Sequence, residues 1–217
     1  MRLFSLNKTT TDGWPREAPF PHLVGSKDHG RPVAGLRSLC AKVQKPVQTI
    51  VELGVELGGS TRVFLDAFPS AKIFSIDPWI ENYPIHQTWK DKIGTEYERS
   101  RGSLLPIFQS IFWDQKNRIK PIRKYSDAGM RLLYDQSIKP EVVFVDADHR
   151  YFGVAADLIL IQTLFPYALI LGDDWMFNPT APKYRGIQYP VRRAAQDFAI
   201  HYERQYEAEE NSYLIWV

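Results

Sequence analysis

The sequence predicts an α/β fold in which a mostly parallel sheet is covered by helices on both faces. Short apolar runs rich in β-branched residues alternate with segments of helical periodicity, an order typical of parallel strands joined by crossover helices. The last two predicted strands have no helix between them, which predicts a hairpin and an antiparallel strand at one edge. A chain of 217 residues is long enough for one sizeable core.

The individual elements follow one another in a regular order. Buried strands are predicted where apolar runs stop at turn formers, at residues 48–53, 72–76, 121–124, 142–145 and 168–171. Helices are predicted from capping residues and apolar spacing, at residues 32–42, 60–68, 128–134, 151–164 and 190–201. Ser60 or Thr61 is the expected N-cap of the second helix. A closing hairpin of residues 203–207 and 213–217 completes seven strands.

One domain is expected to span residues 1–217, with two segments that depart from the alternation. Residues 1–31 are rich in turn formers and predict an arm over the body. Residues 79–118 separate the second and third strands, carry several aromatic side chains, and predict two helices broken near residues 102–106. The sequence leaves open whether this insertion is a lid or a surface for self-association into a homo-oligomer.

Charge and cysteine content restrict the class of function. The net charge is +2 and the basic residues are scattered, so a nucleic-acid partner is not expected. The one cysteine, Cys40, excludes an internal disulfide and a cysteine-based zinc cluster, and its apolar neighbours predict a buried thiol. No apolar run predicts a membrane span or a signal peptide, so we expect a cytoplasmic protein.

A glycine-rich turn joins the first strand to its helix, in the run VELGVELGGST. Gly54 and Gly58 would let the backbone bend sharply and approach a ligand, and the helix N-terminus offers free N–H groups with Ser60 as a further donor. The spacing differs from the dinucleotide fingerprint G-x-G-x-x-G. Glu52 and Glu56 would repel a pyrophosphate but suit a cationic ligand. The alternative is a turn that serves only tight packing of strand on helix.

An acidic side chain ends the second strand. The carboxylate of Asp77 stands where it can accept hydrogen bonds from two ribose hydroxyls. Taken alone, Asp77 is better explained as a solvated residue at a strand end. Together with the glycine turn, it predicts a cradle for a positively charged adenosyl amino acid.

The runs VELGVELGGST and FSIDPW resemble motifs I and II of class I S-adenosylmethionine-dependent methyltransferases, and the resemblance extends from about residue 48 to residue 217. It implies a Rossmann-like, seven-stranded sheet whose last strand is antiparallel. The cofactor-binding residues that it implies are Glu52, Gly54, Glu56, Gly58 and Ser60 for the methionine part, Asp77 for the ribose, Ser126 and Asp127 for the adenine, and Asp146 at the end of the fourth strand.

Acidic residues also end the fourth and fifth predicted strands. Asp146 follows the fourth strand, and Asp173 and Asp174 follow the fifth, so their carboxylates should meet at one rim of the sheet. Close carboxylates repel unless protons or a cation neutralise them, and Mg²⁺ prefers carboxylate and water oxygens. The pattern resembles metal-dependent O-methyltransferases of the catechol type and of natural-product sugars, which implies a metal site at these three residues. Helix capping by Asp146 and loop stabilisation by Asp173 are the alternatives.

Two residues beside this rim are candidate general bases. By the same resemblance, Asp148 stands where the sugar-modifying members keep an aspartate, and His149 stands where the catechol type keeps a lysine. Intrinsic pKa favours His149, because histidine titrates near neutrality and an aspartate beside a metal has a lowered pKa. Both residues stay candidates.

The predicted function is S-adenosylmethionine-dependent O-methylation of a small-molecule hydroxyl, assisted by a divalent cation such as Mg²⁺. A non-catalytic cofactor-binding or assembly module of the same fold is the alternative. An oxygenase-associated role ranks last, because the sequence shows no two-histidine, one-carboxylate set suited to iron.

Overall fold

Seven strands form one sheet in the computed structural model, which describes residues 13–27, 33–85, 87–184 and 186–217. The strands are β1 (Thr49–Leu53), β2 (Lys72–Asp77), β3 (Ile119–Arg123), β4 (Val142–Val145), β5 (Leu169–Gly172), β6 (Tyr206–Glu209) and β7 (Ser212–Ile215). Their spatial order is β3-β2-β1-β4-β5-β7-β6. The predicted fold class is confirmed.

The strands β1 to β5 pair in parallel, and the closing hairpin supplies the antiparallel pairs. The antiparallel last strand is confirmed, because β7 runs antiparallel to both of its neighbours. The hairpin strand at the edge of the sheet is β6, which pairs antiparallel with β7, and β7 lies between β5 and β6. The burial of the two strands explains this order, since all of β7 is buried whereas β6 is half exposed and carries two glutamates, as suits an edge.

Apolar layers cover both faces of the sheet. Alternate strand residues serve alternate layers: Val142 and Phe144 face one, and Val143 and Val145 face the other. The first layer contains α1 (Leu36–Ala41), α2 (Gly59–Ala67), α3 (Gln87–Arg99) and α4 (Leu105–Ile111), and the second contains α5 (Ser126–Asp135), α6 (Tyr151–Leu164) and α7 (Pro190–His201). Both α6 and α7 begin and end at the predicted residues.

Three helices begin differently from the prediction, and one of them, α5, starts at Ser126 rather than at residue 128. α1 starts at Leu36, later than expected, after Gly35 with a left-handed φ of 85°. α2 is preceded by Gly58 as its N-cap, and neither Ser60 nor Thr61 caps it. Both hydroxyls are hydrogen-bonded to a buried acid instead, which leaves the N-terminus of α2 without a side-chain cap.

The insertion at residues 79–118 packs into the first layer. It forms α3 and α4 with a break at residues 100–104, slightly before the break that the sequence predicts near residues 102–106. Trp79, Trp89, Phe108 and Phe112 are buried in this layer. These four aromatic side chains are therefore used for packing within the chain, whereas Tyr83 of the same insertion is exposed.

Part of the predicted N-terminal arm, residues 1–12 and 28–31, lies outside the described residues, as does Pro32 of the first predicted helix. The described part is held to the sheet by Trp14, whose indole N–H donates to the carbonyl of Ile119 over 2.9 Å. Over the described ranges, no helix has the length and apolar character needed to cross a membrane.

Candidate functional site

A cavity of about 820 Å³ opens at the carboxyl ends of the parallel strands, where ligands bind in open α/β sheets. Its walls come from the turn after β1, the end of β2, the first turn of α5, the start of α6 and the loop after β5. The predicted site residues that line it are Gly54, Glu56, Ser60, Asp77, Ser126, Asp127, Asp146, Asp148, His149, Asp173 and Asp174. Glu52 and Gly58 are not among the lining residues.

Close contacts of the backbone shape the turn after β1. Gly54 has a φ of 80°, and a β-carbon there would lie 2.2 Å from the carbonyl oxygen of Asp146. Gly58 has a φ of 82°, and its β-carbon would lie 2.4 Å from the ring of Phe112. Gly54 therefore lets the ends of β1 and β4 approach each other at the cavity, whereas Gly58 accommodates an aromatic side chain of the insertion.

Glu52 supports the turn from inside the protein. Its carboxylate is fully buried and accepts hydrogen bonds from the hydroxyls of Ser60 (2.5 Å), Thr61 (2.7 Å) and Ser75 (3.0 Å). Burial raises the pKa of Glu52 to about 7, although the three hydrogen bonds act in the opposite direction. In place of the expected contact with a ligand, the geometry shows Glu52 tying β1 to β2 and α2.

Asp77 lines the cavity and also holds the turn. Its Oδ2 accepts hydrogen bonds from the backbone N–H groups of Val55 (2.9 Å) and Glu56 (3.1 Å), and its Oδ1 accepts from the N–H of Trp79 (2.7 Å). A carboxylate has about four acceptor positions, so these three bonds leave one for a ligand hydroxyl. This geometry has room for one of the two ribose hydroxyls that the sequence predicts at Asp77, and the contact stays a prediction.

Another buried acid lines the cavity between α5 and α6. Ser126 and Asp127 form the first turn of α5, and Asp157 lies on α6 within hydrogen-bond reach of Ser126. Burial and the charge of Asp148 raise the pKa of Asp157 to about 7, against the bond with Ser126. The sequence favours a structural role for a charged residue inside a helix. One feature of the sequence sets Asp157 apart: it is the only charged residue of α6.

His149 connects two carboxylates at the rim. Its Nε2 lies 3.0 Å from Oδ1 of Asp146 and 2.8 Å from Oδ2 of Asp174. Burial disfavours a charge on the imidazole, but the hydrogen bonds to these carboxylates outweigh it and raise the pKa of His149 to about 10. One donor atom from each of the three residues lies within 4.8 Å of the others, so the cluster has the spacing and chemistry to hold a divalent cation.

The predicted metal set is brought together only in part. Asp146 and Asp174 converge, but Oδ1 of Asp173 lies 3.2 Å from the amide nitrogen of Asn211 and 3.4 Å from the hydroxyl of Ser212. Burial and the charge of Asp146 raise the pKa of Asp173 to about 7. Asp173 therefore lines the wall of the cavity. The imidazole of His149 occupies the position in the cluster that the sequence predicts for Asp173.

Asp148 is committed to an ion pair. Its Oδ1 lies 3.0 Å from Nε of Arg150, and its Oδ2 lies 2.5 Å from the Nη2 of the same guanidinium. Burial acts in the opposite direction, but these bonds lower the pKa of Asp148. Of the two predicted bases, Asp148 is therefore held in its ionised form by the guanidinium of Arg150.

Comparison with known proteins identifies the family. The family model for the methyltransferase domain matches residues 51–175, more than half of the chain. The chain belongs to this methyltransferase family. No curated protein sequence matches it.

Solved structures share this methyltransferase fold at low sequence identity. A candidate O-methyltransferase from Klebsiella pneumoniae is 16% identical with a TM-score of 0.56, over 91% of this chain and 86% of that one. The O-methyltransferase from Bacillus cereus, solved in complex with SAH, is 15% identical with a TM-score of 0.52, over 83% and 78%. TomG from Streptomyces achromogenes, an O-methyltransferase of tomaymycin synthesis solved with SAM, is 17% identical with a TM-score of 0.53, over 84% and 77%.

The methyltransferase cavity also contains residues that the sequence does not single out. Trp79 and Asn211 line it, and Tyr184 lies at the same wall, with its ring 5.4 Å from that of Phe177. Trp79 is one of many aromatic residues around the insertion, and Asn211 resembles an ordinary turn residue between two strands. Neither position carries a pattern that separates it from its neighbours.

Proposed function

We propose that this protein transfers a methyl group from S-adenosylmethionine to a hydroxyl oxygen of a small molecule, with a divalent cation at the acidic rim. The observation that carries the proposal is a single cavity lined both by the glycine turn with Asp77 and by the cluster of Asp146, His149 and Asp174. In-line displacement requires the acceptor oxygen to be held against the methyl carbon, and one shared cavity meets that requirement.

The cofactor is assigned to the turn and to the first turn of α5. The residues proposed to contact it are Gly54, Glu56, Ser60 and Asp77 at the turn, and Ser126 and Asp127 on α5. Glu56 and Asp77 place negative charge beside a cationic ligand. When bound, S-adenosylmethionine supplies an electrophilic methyl group on a positively charged sulfur. The Bacillus cereus and Streptomyces achromogenes proteins, solved with SAH and SAM, support this choice of ligand.

The cation is assigned to Asp146 and Asp174, whose oxygens converge on the same nitrogen of His149. Mg²⁺ is commonly bound through one or two carboxylates and keeps several waters, so this pair suits it. When bound, the cation acidifies and orients the acceptor hydroxyl. Asp146 and Asp174 hold it at the rim, close to the turn that holds the cofactor.

His149 is the proton acceptor in this proposal. Asp148 is held by Arg150, whereas Nε2 of His149 lies within 3.0 Å of both carboxylates that are assigned to the cation. In the chain alone, the two carboxylates keep the imidazole protonated. A cation that binds Asp146 and Asp174 would take over these carboxylates and repel the charged imidazole, so that His149 becomes neutral and can take the proton of the acceptor hydroxyl as its oxygen attacks the methyl group.

Calorimetric titration with SAH tests the cofactor site. We expect the wild type to bind one SAH per chain, and Asp77→Ala to weaken binding by about 10-fold or more, because the turn loses three hydrogen bonds. Asp66→Asn, at a carboxyl group on the exposed side of α2, is the matched control and should leave the affinity unchanged. A wild type that binds no SAH at roughly millimolar concentration, well above common cofactor affinities, would refute the proposal.

Transfer of a labelled methyl group to a panel of hydroxylated small molecules tests the chemistry. His149→Gln should lower kcat by about 10²–10⁴-fold and leave SAH affinity unchanged, whereas Asp148→Asn should have the smaller effect. The opposite ranking would assign the proton acceptor to Asp148. Tight SAH binding with no transfer to any acceptor would favour a non-catalytic module.

A further inference from the structure

Asn211, in the turn between β6 and β7, is bonded to the loop that follows β5. Its amide nitrogen donates to Oδ1 of Asp173 and to Oδ1 of Asp174, each over 3.2 Å. Its side-chain oxygen accepts the N–H of Met176 over 2.9 Å, and its backbone carbonyl accepts the N–H of Trp175 over 2.9 Å. One residue of the edge hairpin therefore contacts four consecutive residues of the acidic rim.

The two aspartates of this loop point to different partners. Asp174 has a φ of 61°, a left-handed conformation that costs a non-glycine residue on the order of 1 kcal/mol. Its Oδ1 contacts Asn211, and its Oδ2 is directed at Nε2 of His149, 2.8 Å away. Asp173 shares the same amide, but its Oδ1 also lies 3.4 Å from the hydroxyl of Ser212, on β7. The amide thus bridges the two carboxylates and fixes one oxygen of each, while Ser212 keeps Asp173 at the sheet and the second oxygen of Asp174 reaches the cluster.

We propose that Asn211 is a positioning residue that aims Asp174, and not Asp173, at the divalent cation. The inference rests on the cation of the proposed function. Hydrogen bonds that orient a metal-ligating side chain typically change metal affinity by about 10–100-fold when they are removed. If Asn211 served the hairpin alone, its removal would lower stability without changing which aspartate matters for the cation.

Titration with Mn²⁺ alone, followed by the electron paramagnetic resonance signal of the free ion, tests this with matched aspartate variants. We expect Asp174→Asn to weaken Mn²⁺ binding by about 10-fold or more, and Asp173→Asn by less than about 3-fold. With Asn211→Ala added to each, the difference in Mn²⁺ affinity between the two aspartate variants should become smaller, because only the hydroxyl of Ser212 then holds Asp173 at the sheet. If Asn211 only stabilised the hairpin, its removal would lower the melting temperature, but Asp174→Asn would still weaken Mn²⁺ binding more than Asp173→Asn, and by the same factor.

Titration of the same proteins with SAH distinguishes a failure of the positioning role of Asn211 from a failure of the proposed function. Should Asn211→Ala not fold, Asn211→Asp takes its place, since it keeps an oxygen to accept from Met176 and removes the amide donor. Equal effects of Asp173→Asn and Asp174→Asn in the otherwise native chain, or a difference that the Asn211 variants leave unchanged, would overturn the positioning role. A wild type that binds SAH but no Mn²⁺ would overturn it as well, whereas a wild type that binds Mn²⁺ but no SAH would refute only the cofactor part of the proposed function.

Discussion

At the scale of single residues, burial governs the carboxyl groups around the cavity. Glu52, Asp157 and Asp173 each have a pKa of about 7, and burial is the largest cause in every case. A carboxylate that loses its hydration keeps its proton to a higher pH than it would in water. Glu52 is compensated by three hydroxyl donors, whereas Asp157 has the hydroxyl of Ser126 and faces further acids. Asp157 is therefore the less well compensated group.

We expect Asp157→Asn to raise the free energy of unfolding, and to do so more at pH 8 than at pH 5. The groups that face Asp157 are Ser126 and Asp127 on α5, Asp148 before α6, and Tyr213 on β7. The folded pKa of about 7 lies above the ordinary value of 3.8, so the folded chain keeps a proton that the unfolded chain releases. Stability from this group is complete below about pH 4 and is lost as the pH rises through 7.

Urea unfolding of the wild type and Asp157→Asn at both pH values measures this effect. The increment from the substitution should be roughly 2–3 kcal/mol larger at pH 8 than at pH 5. Comparison with the wild type at the same pH removes the contributions of the other titrating acids, and Asp66→Asn is an exposed control. An increment that does not change with pH would contradict the burial of a charge at this position.

The role of a single residue could be predicted where its position in a strand or turn already determines its surroundings. Gly54 and Asp77 could be predicted, because a turn after a strand and a strand end both lie at the rim of a parallel sheet. Glu52 could not be placed, since both faces of β1 are buried and the sequence does not show which face a side chain takes. Its hydroxyl partners on β2 and α2 exist only once those elements have packed.

At the scale of elements, the turn between β1 and α2 depends on one close approach. We expect Gly54→Ala to lower the free energy of unfolding by about 2–4 kcal/mol and to abolish SAH binding, because its β-carbon would lie 2.2 Å from a carbonyl oxygen at a φ of 80°. The matched control is Gly94→Ala in α3, where a β-carbon meets nothing within 4 Å. That change should raise stability by about 0.5–1 kcal/mol.

Denaturant unfolding and SAH titration of both glycine variants give the two readouts. Loss of binding in Gly54→Ala with unchanged binding in Gly94→Ala would assign the effect to the turn rather than to added bulk. Retained binding in Gly54→Ala would mean that the ends of β1 and β4 can separate, against the geometry described for this turn.

Elements with a strong pattern could be predicted to the residue, and elements fixed by tertiary contacts could not. β4 and α6 match the prediction because β-branched and apolar runs bounded by turn formers define them. The start of α2 differs, because its hydroxyls are used by a buried acid from another strand. The hairpin is shorter than predicted at both ends, and its turn sits where Asn211 contacts the loop after β5.

At the scale of the whole molecule, the sheet brings together residues that are far apart in the sequence. The end of β4 and the loop after β5 meet at one rim, which the order of elements predicts from strand ends alone. Asn211 stands 37 positions after Asp174 and reaches it only because β7 returns beside β5. A contact of this kind depends on the position of β7 between β5 and β6, which the order of elements in the sequence does not determine.

The same long-range packing makes Cys40 a reporter of global opening. The side chain is 2% exposed and shares an apolar layer with strands β4 and β5. Burial raises the pKa of the thiol to about 12, although the charge of Arg37 acts in the opposite direction. The thiolate is the reactive form, so the native thiol should be inert at neutral pH. Labelling then requires an opening that removes α1 from the sheet whose rim forms the cavity.

We therefore expect SAH to slow the labelling of Cys40 by an aromatic disulfide reagent. A ligand that binds only the folded chain adds about 2.7 kcal/mol at 100 times its Kd, which lowers the open population by about 100-fold. The chain has one cysteine, so the released chromophore reports this thiol alone, and Cys40→Ala gives the background. If the rate did not change with SAH while calorimetry showed binding, α1 would open locally without disturbing the cavity. The first apolar layer would then not unfold as one unit with the site that it supports.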